Sequence, residues 1–185
     1  MPSRLRFVLS QLGRKPHGAA TRRRLIDVSD LPGLGWEVVD QRTWRTGHQN
    51  SQEPWAERAA AAGSVTAWRS FRSADRWLWT QLVPTASVAD SQSALDAVPA
   101  QLLRNLRAKV TLESESEVPG IAVQGADATW AHEQRTSGHR DAGTTLLLAW
   151  TVGADLVISA ASGRPEWDWD ELGAVAVKQR ERLAI

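Results

Sequence analysis

Trp68, Trp77 and Trp79 lie close together in the chain, interleaved with Arg69, Arg72 and Arg76. Flat aromatic rings beside guanidinium groups can stack a planar ligand, a sugar, or the bases of single-stranded nucleic acid along a basic groove. The same residues have a plainer use. The chain has ten Trp, two Phe and no Tyr, so tryptophan must also supply the aromatic volume of the core. A second set, Glu113, Glu115 and Glu117, recurs at period two. A strand would put all three on one face, about 7 Å apart, where carboxylates can share a proton, hold a hard cation, or simply face water. The third set is His132, Glu133 and His139. Neighbours on a strand point to opposite faces, so these residues do not supply the three converging ligands a metal site needs. His48 stands alone in a polar stretch. No metal and no cofactor is expected.

Much chemistry is excluded at the outset. With no cysteine, there can be no disulfide, thiolate ligand, haem attachment or cysteine nucleophile. The chain has no phosphate-binding loop, nucleophile elbow or zincin helix motif. Gly33 and Gly35 read as turn glycines. The expectation is a protein that is not an enzyme. The reserve reading is an unrecognised one using His132 or the Glu113 to Glu117 stripe.

These residues need a scaffold, and the hydrophobic pattern describes one. Residues 36–44 read as a strand, and Pro54 opens a short helix over 55–62. Residues 64–71 and 76–83 form a hairpin through a four-residue connection, Arg72 to Asp75. That register puts Phe71 opposite Arg76, Arg69 opposite Leu78, and Trp68 opposite Trp79. Val65, Ala67, Phe71, Leu78 and Leu82 share one face, and Trp68, Trp77 and Trp79 share the other. A hairpin apolar on both faces belongs in the middle of a sheet. Asp90 caps a helical stretch with a stripe of Leu95, Val98, Leu102, Leu103 and Leu106, which Pro99 interrupts. Residues 109–118 form a strand. Residues 126–136, 144–152 and 156–161 follow as an antiparallel meander. Pro165 starts a last helix, acidic at its beginning and basic at its end, as the helix dipole favours. Trp167 and Trp169 dock that helix on the sheet. Runs of antiparallel strands with helices gathered against them make an α+β fold, a twisted antiparallel sheet with helices packed on it.

The net charge of +1 conceals a division. Residues 1–26 hold Arg4, Arg6, Arg14, Lys15, Arg22, Arg23 and Arg24 and no acid, a charge of +7, and the remainder carries −6. The expected organisation is a basic arm over 1–26 and one domain over 27–185. Within the arm, Leu5, Val8, Leu9 and Leu12 have the spacing of a short amphipathic helix. Such a segment reaches nucleic acid or an anionic membrane surface, or folds back on the acidic body. The apolar stretch Phe7 to Leu12 is too short and polar for an export signal, and no span suits a bilayer, so the expected compartment is the cytoplasm.

Val123-Gln124-Gly125-Ala126-Asp127-Ala128 precedes a long strand, followed by the apolar strand Thr145 to Val152, then Asp155 to Ala160, then a terminal helix. This order, with the start Pro32-Gly33-Leu34-Gly35-Trp36, resembles the PsbP/Mog1-like domains, including LpqN-type actinobacterial lipoproteins. It is also similar to the extracellular sensor domains of some actinobacterial serine/threonine kinases. The resemblance covers about residues 31 to 183 and carries no catalytic motif. The lipobox and disulfide cysteines of such exported proteins are missing. The resemblance implies binding rather than catalysis, and brings no site residues with it. The leading expectation is a non-catalytic binding or adaptor domain. Its partner is a protein or a small apolar ligand on Trp68, Trp77 and Trp79. The alternative is a nucleic-acid or membrane binder acting through the arm.

Overall fold

A computed structural model describes residues 18–45, 64–107, 111–137 and 143–184. The expected arm helix, the helix over 55–62, His48 and His139 lie outside them. The described chain runs α1 (Ala19–Arg23), a 3-10 turn (Val28–Asp30), β1 (Glu37–Arg45), β2 (Val65–Ser73), β3 (Asp75–Pro84) and α2 (Val88–Arg107). It continues through β4 (Thr111–Glu117), β5 (Ala128–Ser137), β6 (Gly143–Val152), β7 (Asp155–Arg164) and α3 (Trp169–Leu183). The seven strands form one open sheet in the order β1-β2-β3-β7-β6-β5-β4. All neighbours are antiparallel. Two meanders, β1–β3 and β4–β7, therefore meet where β3 pairs with β7. Helix α2 carries the chain from the middle of the sheet, over one face, to the far edge. This is the α+β architecture that the pattern of elements implies.

The centre of the sheet is apolar on both faces because it is covered on both. Strand β6 shows this best. Leu146, Leu148 and Trp150 join one core cluster with Phe71, Leu78, Leu82, Val157 and, on α3, Leu172, Val175 and Ala176. Leu147 and Ala149 join the other with Trp130, Leu156, Ile158, Ala160 and, on α2, Ala94, Leu95 and Val98. A strand sandwiched in this way reads as a continuous hydrophobic run instead of an alternation.

Four local expectations are corrected. The hairpin between β2 and β3 closes at Ser73↔Arg76, so only Ala74 and Asp75 form its turn. Ala74 takes φ 48° to do so. Nothing in the sequence marks a two-residue turn there, since such turns usually carry Gly or Asn. Pairing shifts by two residues: Phe71 faces Leu78, Arg69 faces Thr80 and Trp68 faces Gln81. A shift of two leaves every side chain on its expected face, and only a shift of one would reverse them. Next, α2 begins earlier than expected. The Ser87 hydroxyl accepts from the Asp90 N–H at 3.1 Å, so Ser87 is the cap and Asp90 lies in the first turn. The helix then runs through Pro99 without a break. At the other end, α3 starts at Trp169, capped by Asp168, whose carboxylate accepts from the Glu171 N–H at 2.8 Å. Finally, Leu25 and Ile26, assigned from sequence to the arm, are completely buried.

The motif at 123–128 acquires a structural meaning. Ala126 N–H donates to the Val123 carbonyl at 3.0 Å to close a turn. The Asp127 carboxylate accepts from the Gly153 N–H at 2.7 Å, fixing the β6–β7 turn. Gly125 (φ 76°) lies under Arg180, where an added Cβ would meet the guanidinium at 2.8 Å.

Candidate functional site

The tryptophans lie on the α2 side of the sheet. Helix α2 packs over β6 and β7. On the Trp68 face of β2, Thr66 and Ser70 are buried. Trp77 and Trp79, on β3, are half-buried and rest against the α2-side cluster. Trp68, on β2, is also half-buried, and the Arg42 guanidinium stands 5.7 Å from its ring centroid. Across the β2–β3 pairing, Gln81 is opposite Trp68, Ser70 is opposite Trp79, and Arg72 is opposite Trp77. The result is a sheet surface of three half-buried indoles bordered by Arg42, Arg72 and Gln81. Indole faces offer stacking area, and the arginines offer cation–π and anion contacts at the border. Sequence alone found the three tryptophans and their common face. It missed Arg42, which reaches them only through the β1–β2 register, where it is opposite Trp68.

Farther along the same face, towards β4, is a polar group. His132 and Gln134 are buried on β5, and the His132 ring stacks on Trp130 at 5.4 Å. Glu115, on β4, approaches His132 Nε2 at 3.8 Å and accepts from Gln134 Nε2 at 3.4 Å. The structure therefore joins one glutamate of the stripe to one histidine of the candidate metal set. Glu117 lies opposite His132 in the same register, with its side chain exposed. Glu113 and Glu133 are drawn elsewhere. A bulge between Leu112 and Ser114 takes Glu113 out of the regular register. Glu133 stands 3.8 Å from Arg135 on the opposite side of β5. Among the described residues, no three His, Asp or Glu side chains come together as metal ligands.

A shallow polar depression of about 440 Å³ lies at the far end of the sheet. Arg135, Arg164, Glu113, Thr144 and Glu166 line it, and Thr144 Oγ1 donates to Glu166 at 3.1 Å.

The other face is devoted to structure. Gly33 (φ 78°) and Gly35 (φ 81°) turn the chain before β1. Trp36 then donates from Nε1 to the Pro32 carbonyl at 2.7 Å and packs against Trp167, ring centroids 5.6 Å apart. The Arg76 guanidinium lies 4.0 Å from the Trp167 centroid and donates to both Glu171 oxygens, tying β3 to α3. Arg69 donates to the Ile26 carbonyl at 2.6 Å. Its burial holds its pKa below the ordinary arginine value, and nearby Asp27 works in the opposite direction.

Of the seven arm cations, three lie in the described residues. Arg24 forms an ion pair with Asp155 at the start of β7, Arg23 is exposed, and Arg22 is partly buried. Arg4, Arg6, Arg14 and Lys15 lie outside them.

No family model matches the chain. No curated protein matches it significantly in sequence. A solved structure does match in fold. The chain is similar to the extracellular domain of PknH from Mycobacterium tuberculosis. The two share 11% identity at a TM-score of 0.55, over 85% of this chain and 93% of that one. At that identity the likeness is one of fold. In fold it is consistent with the second of the two groups the sequence resembles, and the PsbP/Mog1-like resemblance is not shown. That domain is extracellular, so the likeness lends no support to a cytoplasmic location. Among the described residues, no helix is long and apolar enough to cross a membrane.

Proposed function

We propose that this chain is a non-catalytic binding domain that takes a small apolar ligand, or an apolar side chain of a protein partner, on the Trp68, Trp77 and Trp79 surface. One observation carries this reading. Large aromatic side chains that serve only as core filler end up buried, as Trp150 does at 0% exposure. These three remain half-buried, each with part of its surface open to solvent. Arg42 and Arg72 at the border favour a ligand that combines an apolar body with an anionic group. The shared fold with a kinase extracellular domain is consistent with a binding role.

The naphthalene sulfonate dye ANS has both parts and serves as the probe. The native protein should bind it saturably. Trp68→Ala and Trp79→Leu should each weaken binding, while Trp169→Phe, which changes the α3 side, should not. Equal binding by all four proteins would remove the reading. The alternative is contact with nucleic acid or an anionic membrane through Arg4, Arg6, Arg14, Lys15, Arg22 and Arg23. Replacing the first four by Gln in the full chain separates the two: loss of binding to single-stranded DNA or anionic vesicles with dye binding retained assigns the anionic contact to the arm.

A further inference from the structure

The two edges of the sheet have opposite chemistry. Strand β4 carries Glu113, Glu115 and Glu117 and no basic residue. A second copy laid antiparallel on it would oppose glutamate to glutamate, and like charges directly opposite are destabilising. This is how natural sheets protect an edge from pairing. Strand β1 lacks that protection. Val38 and Val39 are 39% and 48% exposed, and among the described residues no strand lies on its outer side.

Its charges are also self-complementary. Residues 39–43 read Val-Asp-Gln-Arg-Thr. Centred antiparallel on Gln41, two copies put Asp40 opposite the partner's Arg42, twice by symmetry. The register is selected as well as allowed. Faces are preserved only by shifts of two residues. One such shift brings Arg42 onto Arg42, and the other brings Asp40 onto Asp40. Both alternatives place like charges directly opposite at the two-fold axis.

Arg42 already donates from Nε to Asp40 Oδ2 at 2.9 Å along its own strand. Their side chains are 70% and 37% exposed, so the pair is solvated and free to take on a second partner. We propose that β1 is an interface for a second copy of this chain, joining two sheets edge to edge about a two-fold axis at Gln41. In the dimer, Asp40 and Arg42 of both copies alternate in sign around that axis. The bulge between Val38 and Asp40 limits regular pairing to the segment on its C-terminal side. The contact is therefore short, and its association depends on concentration.

Sedimentation of the full chain over a concentration series tests this. The wild type should pass from monomer to dimer as concentration rises. Asp40→Arg and Arg42→Asp should each weaken association by at least about tenfold, because symmetry turns two attractive pairs into two repulsive ones. The exchanged double variant, carrying both changes, should restore it. Thermal melts of each variant check that the exposed substitutions leave the fold intact. A wild type that stays monomeric overturns the proposal. So do single variants that associate normally, or an exchanged variant that stays as weak as the singles.

Discussion

Gln179 provides a sharp test of how residues 24–27 join the body. Its side chain is buried on α3 at 1% exposure. It accepts from the Ile26 N–H at 3.0 Å and donates to the Arg24 carbonyl at 2.6 Å. With Arg69 on the Ile26 carbonyl, a segment with no regular secondary structure has its peptide groups satisfied by side chains. Gln179→Met keeps the volume and removes both bonds. Leaving a buried peptide group without its partner costs about 1–3 kcal/mol, so two such groups give about 2–6 kcal/mol. The upper end is limited by local escape, since the segment can undock and rehydrate. Undocking re-exposes Leu25 and Ile26, each contributing about 1.5–3 kcal/mol when fully buried. The expected loss is about 2–4 kcal/mol, read by urea denaturation, with the Ile26 amide exchanging much faster in the variant. A loss below about 0.5 kcal/mol, within the range of an ordinary surface change, with unaltered Ile26 exchange, would refute the reasoning.

Two further perturbations follow from the geometry. Gly163 is opposite Arg76, and an added Cβ would lie 2.5 Å from the Arg76 Cα and closer still to the Asp75 carbonyl. Gly163→Ala should therefore cost more than about 3 kcal/mol, whereas Gly153→Ala, with open space around a φ of 54°, should cost only about 1–2 kcal/mol; paired denaturation curves compare them. Arg76→Met removes the double contact with Glu171 from a partly solvated pair and should cost about 1–3 kcal/mol. Adding Glu171→Gln should recover part of that loss in a double-mutant cycle, because the unpaired carboxylate is no longer charged.

The legible part of the fold was what local pattern controls. The alternation of β2 and β3 placed Phe71 and Leu78 on one face and the three tryptophans on the other, and the structure agrees on each. The run over 144–152 was legible as a strand, and the structure buries it on both faces. The candidate site was half legible. Trp68, Trp77 and Trp79 were found because period two is visible in a single strand. Arg42 was not, because its place beside Trp68 depends on the register between β1 and β2. The glutamate stripe and the histidine pair looked like separate clusters. Only the β4–β5 pairing brought Glu115 to His132 and left Glu113 and Glu133 elsewhere.

The sequence by itself determined the kinds and order of elements, the apolar faces, the charge division between segment and body, and the exclusion of cysteine chemistry. Those properties belong to residue type and to spacings of a few residues, over which helix and strand periods act directly. The tertiary structure decided the tight turn at Ala74, the burial of Leu25 and Ile26, the bulges in the edge strands, and which edge of the sheet is open to pairing. Ile26 meets Gln179 across 153 positions of chain. No spacing rule extends that far. Such a contact exists only once the sheet has closed β3 onto β7 and brought α3 back over the first residues of the body.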